Sequence, residues 1–429
     1  MQSATIVPPD GQMHPYIKAL QESRRPMARF ITKASLFFMK LRSPFLNSRA
    51  LSMTGPTKRF RQTCASFIIG AVLSAACLFN ASPAQASAMG SLVNPLIAGL
   101  PPGNAITDGG ALLRYSLPID NKEIRQVQDE LEGISNRLRS KRWGPIEKDA
   151  NKAKRLLERK HDAILAAVPE GRKTEAETLL KSIEDGIEPL KNAAENEDKE
   201  GVWTERKQLL DQIGEVEELM VDGYPFEVPS EYDNLPQLKG RATVEFETSK
   251  GDITVVADGY SAPVTAGNFV DLVNKKFYDG LPFIRAEDFY VLQTGDPEGA
   301  EEGYIDPKTK EYRAIPLEIL ARGDDEPIYG STLEQLGRYM DEPVLPFNSY
   351  GSLALARPGN DNNGGSSQFF FFLFEAELTP AGRNLMDGRY AVFGYTIDGK
   401  EVLRKLREGD KIISARVLDG LDKLVEPKA

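Results

Sequence analysis

The sequence predicts an α+β multidomain chain in which a helical bundle precedes a β-rich domain. Between about residues 120 and 220, apolar residues recur at spacings of three and four, the period of amphipathic helices. Beyond residue 240 the apolar runs are short, alternate with polar residues and are separated by turn formers, the pattern of strands. Between the two lies Gly223–Gly240, where Pro225, Pro229 and Pro236 forbid a helix and favour an extended linker. A length of 429 residues suits two or three domains.

The first 86 residues predict an address, not a fold. Residues 1–61 hold eleven Lys/Arg against two acids and are rich in Ser and Thr, the composition of an organelle transit peptide. Cys64–Phe79 is then uncharged and mostly apolar, and Ala84-Gln85-Ala86 and Ala86-Ser87-Ala88 are small-residue cleavage sites. The run is short for a bilayer span, which needs about 20 residues. Two signals in tandem imply two membranes crossed in turn, as for the chloroplast envelope followed by the thylakoid. The mature chain is therefore expected to begin at Ser87 or Met89, lie in the thylakoid lumen and not span the membrane. Lys58-Arg59-Phe60-Arg61 lacks an adjacent arginine pair, so the twin-arginine route is disfavoured.

From Ser87 to Tyr115 the chain is punctuated by Gly and Pro and reads as irregular. Asp120 is the expected N-cap of the first helix, with Glu123 completing a capping box. Ile124, Val127, Leu131, Ile134 and Leu138 form its apolar face, and Gly144-Pro145 is expected to break it. A second helix is expected over Ile146–Val168 and a third from Ala176 to Leu190, kinked or ended by Pro189. A fourth uses Trp203, Leu209, Ile213, Val216 and Met220. Four such helices with short connections make a bundle over residues 87–222.

Residues 241–429 form the β-rich domain. Ala242–Thr248 and Asp252–Ala257 alternate about Ser249-Lys250-Gly251 as a hairpin, and Pro263–Asn274 reads as helix. Leu353–Ala356, Phe369–Phe374, Ala391–Tyr395 and Lys411–Val417 read as strands. Many short strands with few helices suggest a closed or sandwich β fold.

Composition excludes several chemistries. Residues 62–86 are uncharged, so a net −10 for the whole chain leaves a formal −19 from Ser87 onwards, a poor general binder of nucleic acid. Both cysteines precede Ser87, and His161 is the sole histidine after it, in a charged helical stretch. A disulfide, a cysteine nucleophile and a Cys/His zinc site are thereby excluded from the mature chain. No metal and no cofactor is expected. Asn360-Asp361-Asn362-Asn363 lacks EF-hand spacing and reads as a polar loop.

The motifs are more specific. Ala262–Val270, Phe277-Tyr278-Asp279-Gly280 and Phe283-Ile284-Arg285 are followed by Gln293-Thr294-Gly295-Asp296, Gly351–Arg357, Ser366–Phe370 and Asp387–Gly394. In that order they resemble the cyclophilins, the peptidyl-prolyl isomerases. Ala111–Lys122 and Met220–Pro225 also resemble the helical domain of the multidomain cyclophilins of the thylakoid lumen, extending the likeness over the mature chain. The resemblance implies a closed antiparallel β-barrel over about 190 residues.

It also implies the site. Arg285 stands at the position of the donor to the proline nitrogen, and Gln293 at that of the residue holding the substrate backbone and orienting Arg285. Tyr290, Val291, Phe370, Leu385, Met386 and Tyr390 match the proline pocket and Ala356 the room beside it. The chemistry asks for little more. The barrier to X–Pro rotation is about 18–20 kcal/mol because the C–N bond has double-bond character. A donor that favours the twisted nitrogen lowers it without a nucleophile, metal or proton relay. An always-charged arginine suits that role.

Three departures bear on turnover. Leu385 stands where the family has a tryptophan and Tyr390 where it commonly has histidine. Glu287 and Asp288 lie where the family's turn is more apolar, within reach to divert Arg285. The 54 residues between Asp296 and Gly351 form an insertion able to reach the cleft or the bundle. The expected function is thus a lumenal isomerase acting on proline-containing segments of folding proteins. The alternative is a weak or inactive cyclophilin-fold chaperone or scaffold, autoinhibited by its helical domain or linker and docking partners in photosystem assembly.

Overall fold

The computed structural model describes residues 106–300, 302–374 and 384–427. The presequence, Cys64, Cys77 and the cleavage sites lie outside them.

Among the described residues, five α-helices form the N-terminal part: α1 (Gly109–Ser116), α2 (Lys122–Arg139), α3 (Trp143–Ala166), α4 (Lys173–Glu195) and α5 (Lys199–Leu219). The expected face of α2 is wholly buried, with Ile124, Val127, Leu131 and Ile134 joining Ala150, Ile183, Ile187 and Ile213 in one core. Burying each of the Ile, Val and Leu side chains stabilises the bundle by about 1.5–3 kcal/mol.

Several local expectations are corrected. The N-cap of α2 is Asn121, not Asp120: its side-chain oxygen accepts from Ile124 N–H at 2.8 Å. The stretch up to Tyr115 is not wholly irregular, because Asp108 caps α1 through Ala111 N–H at 2.8 Å. Gly144 and Pro145 lie in the first turn of α3, where a proline loses no intrahelical bond. Pro189 sits inside α4, on an exposed face where solvent can take the carbonyl that lost its donor. Trp203 leaves the core to its neighbour Val202 and is 52% exposed, beneath the Arg206 guanidinium.

The C-terminal part is built on a curled, eight-stranded antiparallel sheet. Its strands are β2 (Arg241–Thr248), β3 (Gly251–Asp258), β4 (Arg285–Glu287), β5 (Val291–Thr294), β8 (Ser352–Leu355), β9 (Phe369–Phe372), β10 (Val392–Asp398) and β11 (Ile412–Asp419), in the order β11-β2-β3-β10-β8-β9-β5-β4. Its two edge strands are not joined by a full ladder, as a closed barrel would imply. The segments beside them bridge instead, through Gly280 N–H to Ile412 O and Phe283 N–H to Asp410 O, both 2.8 Å. Helix α6 (Pro263–Asn274) packs Phe269 into the aromatic core with Phe246, Phe369 and Phe393.

The insertion after Asp296 carries a small sheet, β6 (Glu318–Ile319) with β7 (Ile328–Tyr329). Glu318, fully buried, accepts from Thr265 N–H at 2.9 Å and Val264 N–H at 3.2 Å, the free donors of the first turn of α6. In the linker, β1 (Gln237–Leu238) pairs with β12 (Leu424–Val425), and Leu235 is buried with Val264, Ile315 and Leu355. Helix α1 and the barrel meet at Asp258, which accepts from Ser116 Oγ at 2.9 Å and lies 3.5 Å from Arg241 Nε.

Candidate active site

Pairing register builds the candidate site. Arg285 on β4 pairs with Gln293 on β5, Gln293 with Phe370 on β9, and Phe370 with Ala354 on β8. Directly paired residues project on the same face, so these four form one cross-strand row. Val291 and Phe372 form the next. The opposite face carries Leu292, Leu353, Phe369 and Phe371, all in the barrel core. Alternation along β9 therefore divides the four phenylalanines, two to the core and two to the face that bears the row.

Gln293 is almost fully buried, and its Nε2 donates to Gln368 Oε1 at 2.7 Å. Gln368 donates in turn to Asp296 Oδ1 and Glu302 O, both at 2.9 Å. Burial and the nearby Glu302 raise the Asp296 carboxyl above its ordinary range. The chain of amides fixes which way Gln293 faces. Arg285 has a different anchor: its Nε donates to Glu287 Oε1 at 2.7 Å, and its guanidinium lies 5.7 Å from the Tyr290 ring centre.

Around Phe370 the apolar residues converge. Tyr390 meets its ring edge-on at 5.7 Å, and Tyr290 Oη reaches Met386 Sδ at 4.0 Å. Burial pushes the Tyr290 phenol up to about 12, so it is neutral at physiological pH. Val291 is buried beside them, and Ala356 is held by its N–H to Gln368 O at 2.9 Å. Leu385 does not join: its side chain is 51% exposed. The tryptophan position is therefore not filled inward by leucine.

Two residues of the site were not assigned roles from the sequence. Phe347, from the insertion, stacks on Phe370 at 6.1 Å and meets Phe372 edge-on at 5.0 Å. Asp387 accepts from Phe347 N–H at 2.8 Å and Asn384 N–H at 2.9 Å, tying the insertion to the turn that carries Met386. Burial raises the Asp387 carboxyl to about 6 against these two hydrogen bonds. Asp387 belongs to a motif visible in the sequence, but Phe347 had no local signal, since only the tertiary fold brings it to Phe370. His161 lies on α3 in the helical part of the chain, beside Asp162.

A curled antiparallel sheet capped by α6, with an arginine–glutamine–phenylalanine row on its outer face, defines a cyclophilin-type domain. The comparisons agree. A family model described as cyclophilin type peptidyl-prolyl cis-trans isomerase matches residues 243–422, and one described as the PsbQ-like domain of CYP38-like isomerases matches 108–221. The chain is 62% identical over 330 residues to the Synechocystis protein sll0408, named as a thylakoid lumen peptidyl-prolyl cis-trans isomerase, with 77% of this chain and 87% of that protein covered. It is 41% identical to the chloroplastic isomerase CYP38 of Arabidopsis thaliana, with 96% of this chain and 97% of that protein covered. The chloroplastic CYP37 of the same plant is 33% identical, with 74% and 71% covered. This chain belongs to the multidomain cyclophilin-type peptidyl-prolyl cis-trans isomerases that carry a PsbQ-like helical domain.

Proposed function

We propose that the protein is a peptidyl-prolyl cis–trans isomerase of the thylakoid lumen, with Arg285 as the catalytic donor. The single observation that carries the site assignment is the row in which Arg285 and Gln293 stand beside Phe370. The proline ring sits against Phe370, Tyr290, Val291, Met386 and Tyr390. Gln293 holds the peptide backbone, and Ala356 leaves it room. Arg285 donates to the imide nitrogen as it twists out of conjugation, a contact strongest in the transition state. The substrates are proline-containing segments, whose unassisted isomerisation takes tens of seconds. No helix among the described residues is long and apolar enough to cross a membrane. The test is cis-to-trans exchange of a proline tetrapeptide with the chain beginning at Ser87. Exchange no faster than in buffer refutes the reading.

A second reading, a scaffold of low turnover that docks photosystem assembly partners, is favoured by the Arg285–Glu287 pair and by Phe347 lying over Phe370. Binding of proline peptides without accelerated exchange would select it.

A further inference from the structure

The β4–β5 hairpin holds a relationship that the isomerase reading leaves unused. Arg285 and Glu287 are two residues apart on β4, so their side chains leave the same face. Arg285 Nε donates to Glu287 Oε1 at 2.7 Å, and Nη2 approaches the same oxygen at 2.6 Å. The remaining nitrogen, Nη1, is buried and has no hydrogen-bond partner among the described residues. The turn fixes the backbone that carries Glu287: Tyr290 N–H donates to the Glu287 backbone O at 3.0 Å, and Phe289 takes a φ of 62°, a left-handed conformation unusual for a bulky residue. The adjacent Asp288 turns elsewhere, 3.9 Å from Arg407.

We propose that Glu287 is a latch on Arg285, a positioning residue that holds the guanidinium in a resting orientation and sets the rate at which this cyclophilin turns over. The proposal rests on the assignment of Arg285 as donor. Two effects act together. The carboxylate occupies two of the three guanidinium nitrogens, so a peptide must compete for them. Its negative charge, in contact, also cancels much of the positive potential that would favour the lone pair of the twisted imide nitrogen. The buried Nη1 adds a bias toward release, because an unsatisfied donor is costly until an acceptor reaches it. A substrate carbonyl in the cleft is such an acceptor. The resting pair is therefore held by Glu287 and opposed by Nη1.

The experiment compares the chain from Ser87 with its Glu287→Gln, Glu287→Ala, Asp288→Asn and Arg285→Ala/Glu287→Gln forms. Thermal melts verify folding, and the two Glu287 replacements guard against one that perturbs the turn. Exchange of a proline tetrapeptide is measured, together with the 15N-detected Nε–H signal of Arg285. The latch predicts that both Glu287 variants raise kcat/KM at least fivefold, chiefly through kcat. Asp288→Asn should stay at the wild-type value, and the gain should vanish in the double variant. The Arg285 Nε–H should exchange with water faster in both Glu287 variants. An unchanged or lower rate in both, with wild-type exchange at Nε–H, overturns the proposal, as does an equal gain from Asp288→Asn. Faster Nε–H exchange with no catalysis by any form would show the Arg285–Glu287 pairing in solution but refute the isomerase reading on which the latch rests.

Discussion

The ring of Phe347 lies nearly parallel to that of Phe370, with 6° between their planes and 6.1 Å between their centres. Both side chains are excluded from solvent. A residue of the insertion thus packs directly on the residue assigned to the proline pocket. Phe347→Ala should destabilise the chain by about 3–5 kcal/mol, the usual cost of emptying a buried aromatic site. It should also alter KM for a proline tetrapeptide, because the Phe370 ring loses the ring that lies over it. Urea unfolding and peptide exchange measure the two. A drop in stability with KM intact would show that Phe347 supports the fold and not the pocket.

Arg285→Ala tests the donor. Its side chain is part-exposed and lies outside the barrel core, so stability should change by less than about 1 kcal/mol. Losing a transition-state donor costs about 3 kcal/mol, near a hundredfold in kcat/KM. Tyr390→Phe keeps the ring against Phe370 and should cost much less. Equal activity of Arg285→Ala and wild type would refute the assignment.

The boundary between the helical and barrel domains is proposed to fall within Gly223–Gly240, yet this stretch is pinned at several points. Tyr224 Oη donates to Gly259 O at 2.6 Å, and β1 is paired with β12. Nearby, Asp258 is buried against Ser116 and Arg241. Removing one member of such a buried pair costs about 3–5 kcal/mol because the other charge stays behind. Asp258→Ala should therefore loosen the two domains and admit proteases to the linker. Limited proteolysis should leave the wild type whole under conditions that split the variant there. First cleavage of the variant inside the bundle would disprove the boundary.

Stability should fall as pH rises through the neutral range. Burial raises the carboxyls of Glu217 and Glu318 to about 7 and that of Asp387 to about 6. Between their ordinary range and these values the native chain binds protons that the unfolded chain has released. Acidification from pH 7.5 to 5 then favours the fold. Glu318→Gln keeps an oxygen for Thr265 N–H but cannot titrate. It should shrink the difference in unfolding free energy between pH 5 and 7.5 by on the order of 2 kcal/mol. An undiminished difference by urea denaturation would remove Glu318 from the account.

Much of this protein is local and therefore legible from its residues in order. Ile124, Val127, Leu131 and Ile134 specify a buried helical face by spacing alone, because helical periodicity is a property of neighbouring positions. The motifs around Arg285, Gln293 and Phe370 carried the family and the candidate site, since each is a short run in a set order. Where expectation failed locally, the competition was close. Asn121 and Asp120 are both good caps, and only the backbone that enters α2 selects between them. Pro189 reads as a breaker until its face of α4 is known to be solvent-exposed. What the tertiary structure alone decided is which distant groups meet. No spacing rule brings Phe347 onto Phe370, sets Glu318 at the N-terminus of α6, or joins Ser116 to Asp258 across 142 positions of chain. Such contacts depend on how the insertion and bundle close on the sheet, and that closure is set by the summed burial of many side chains rather than by any one segment.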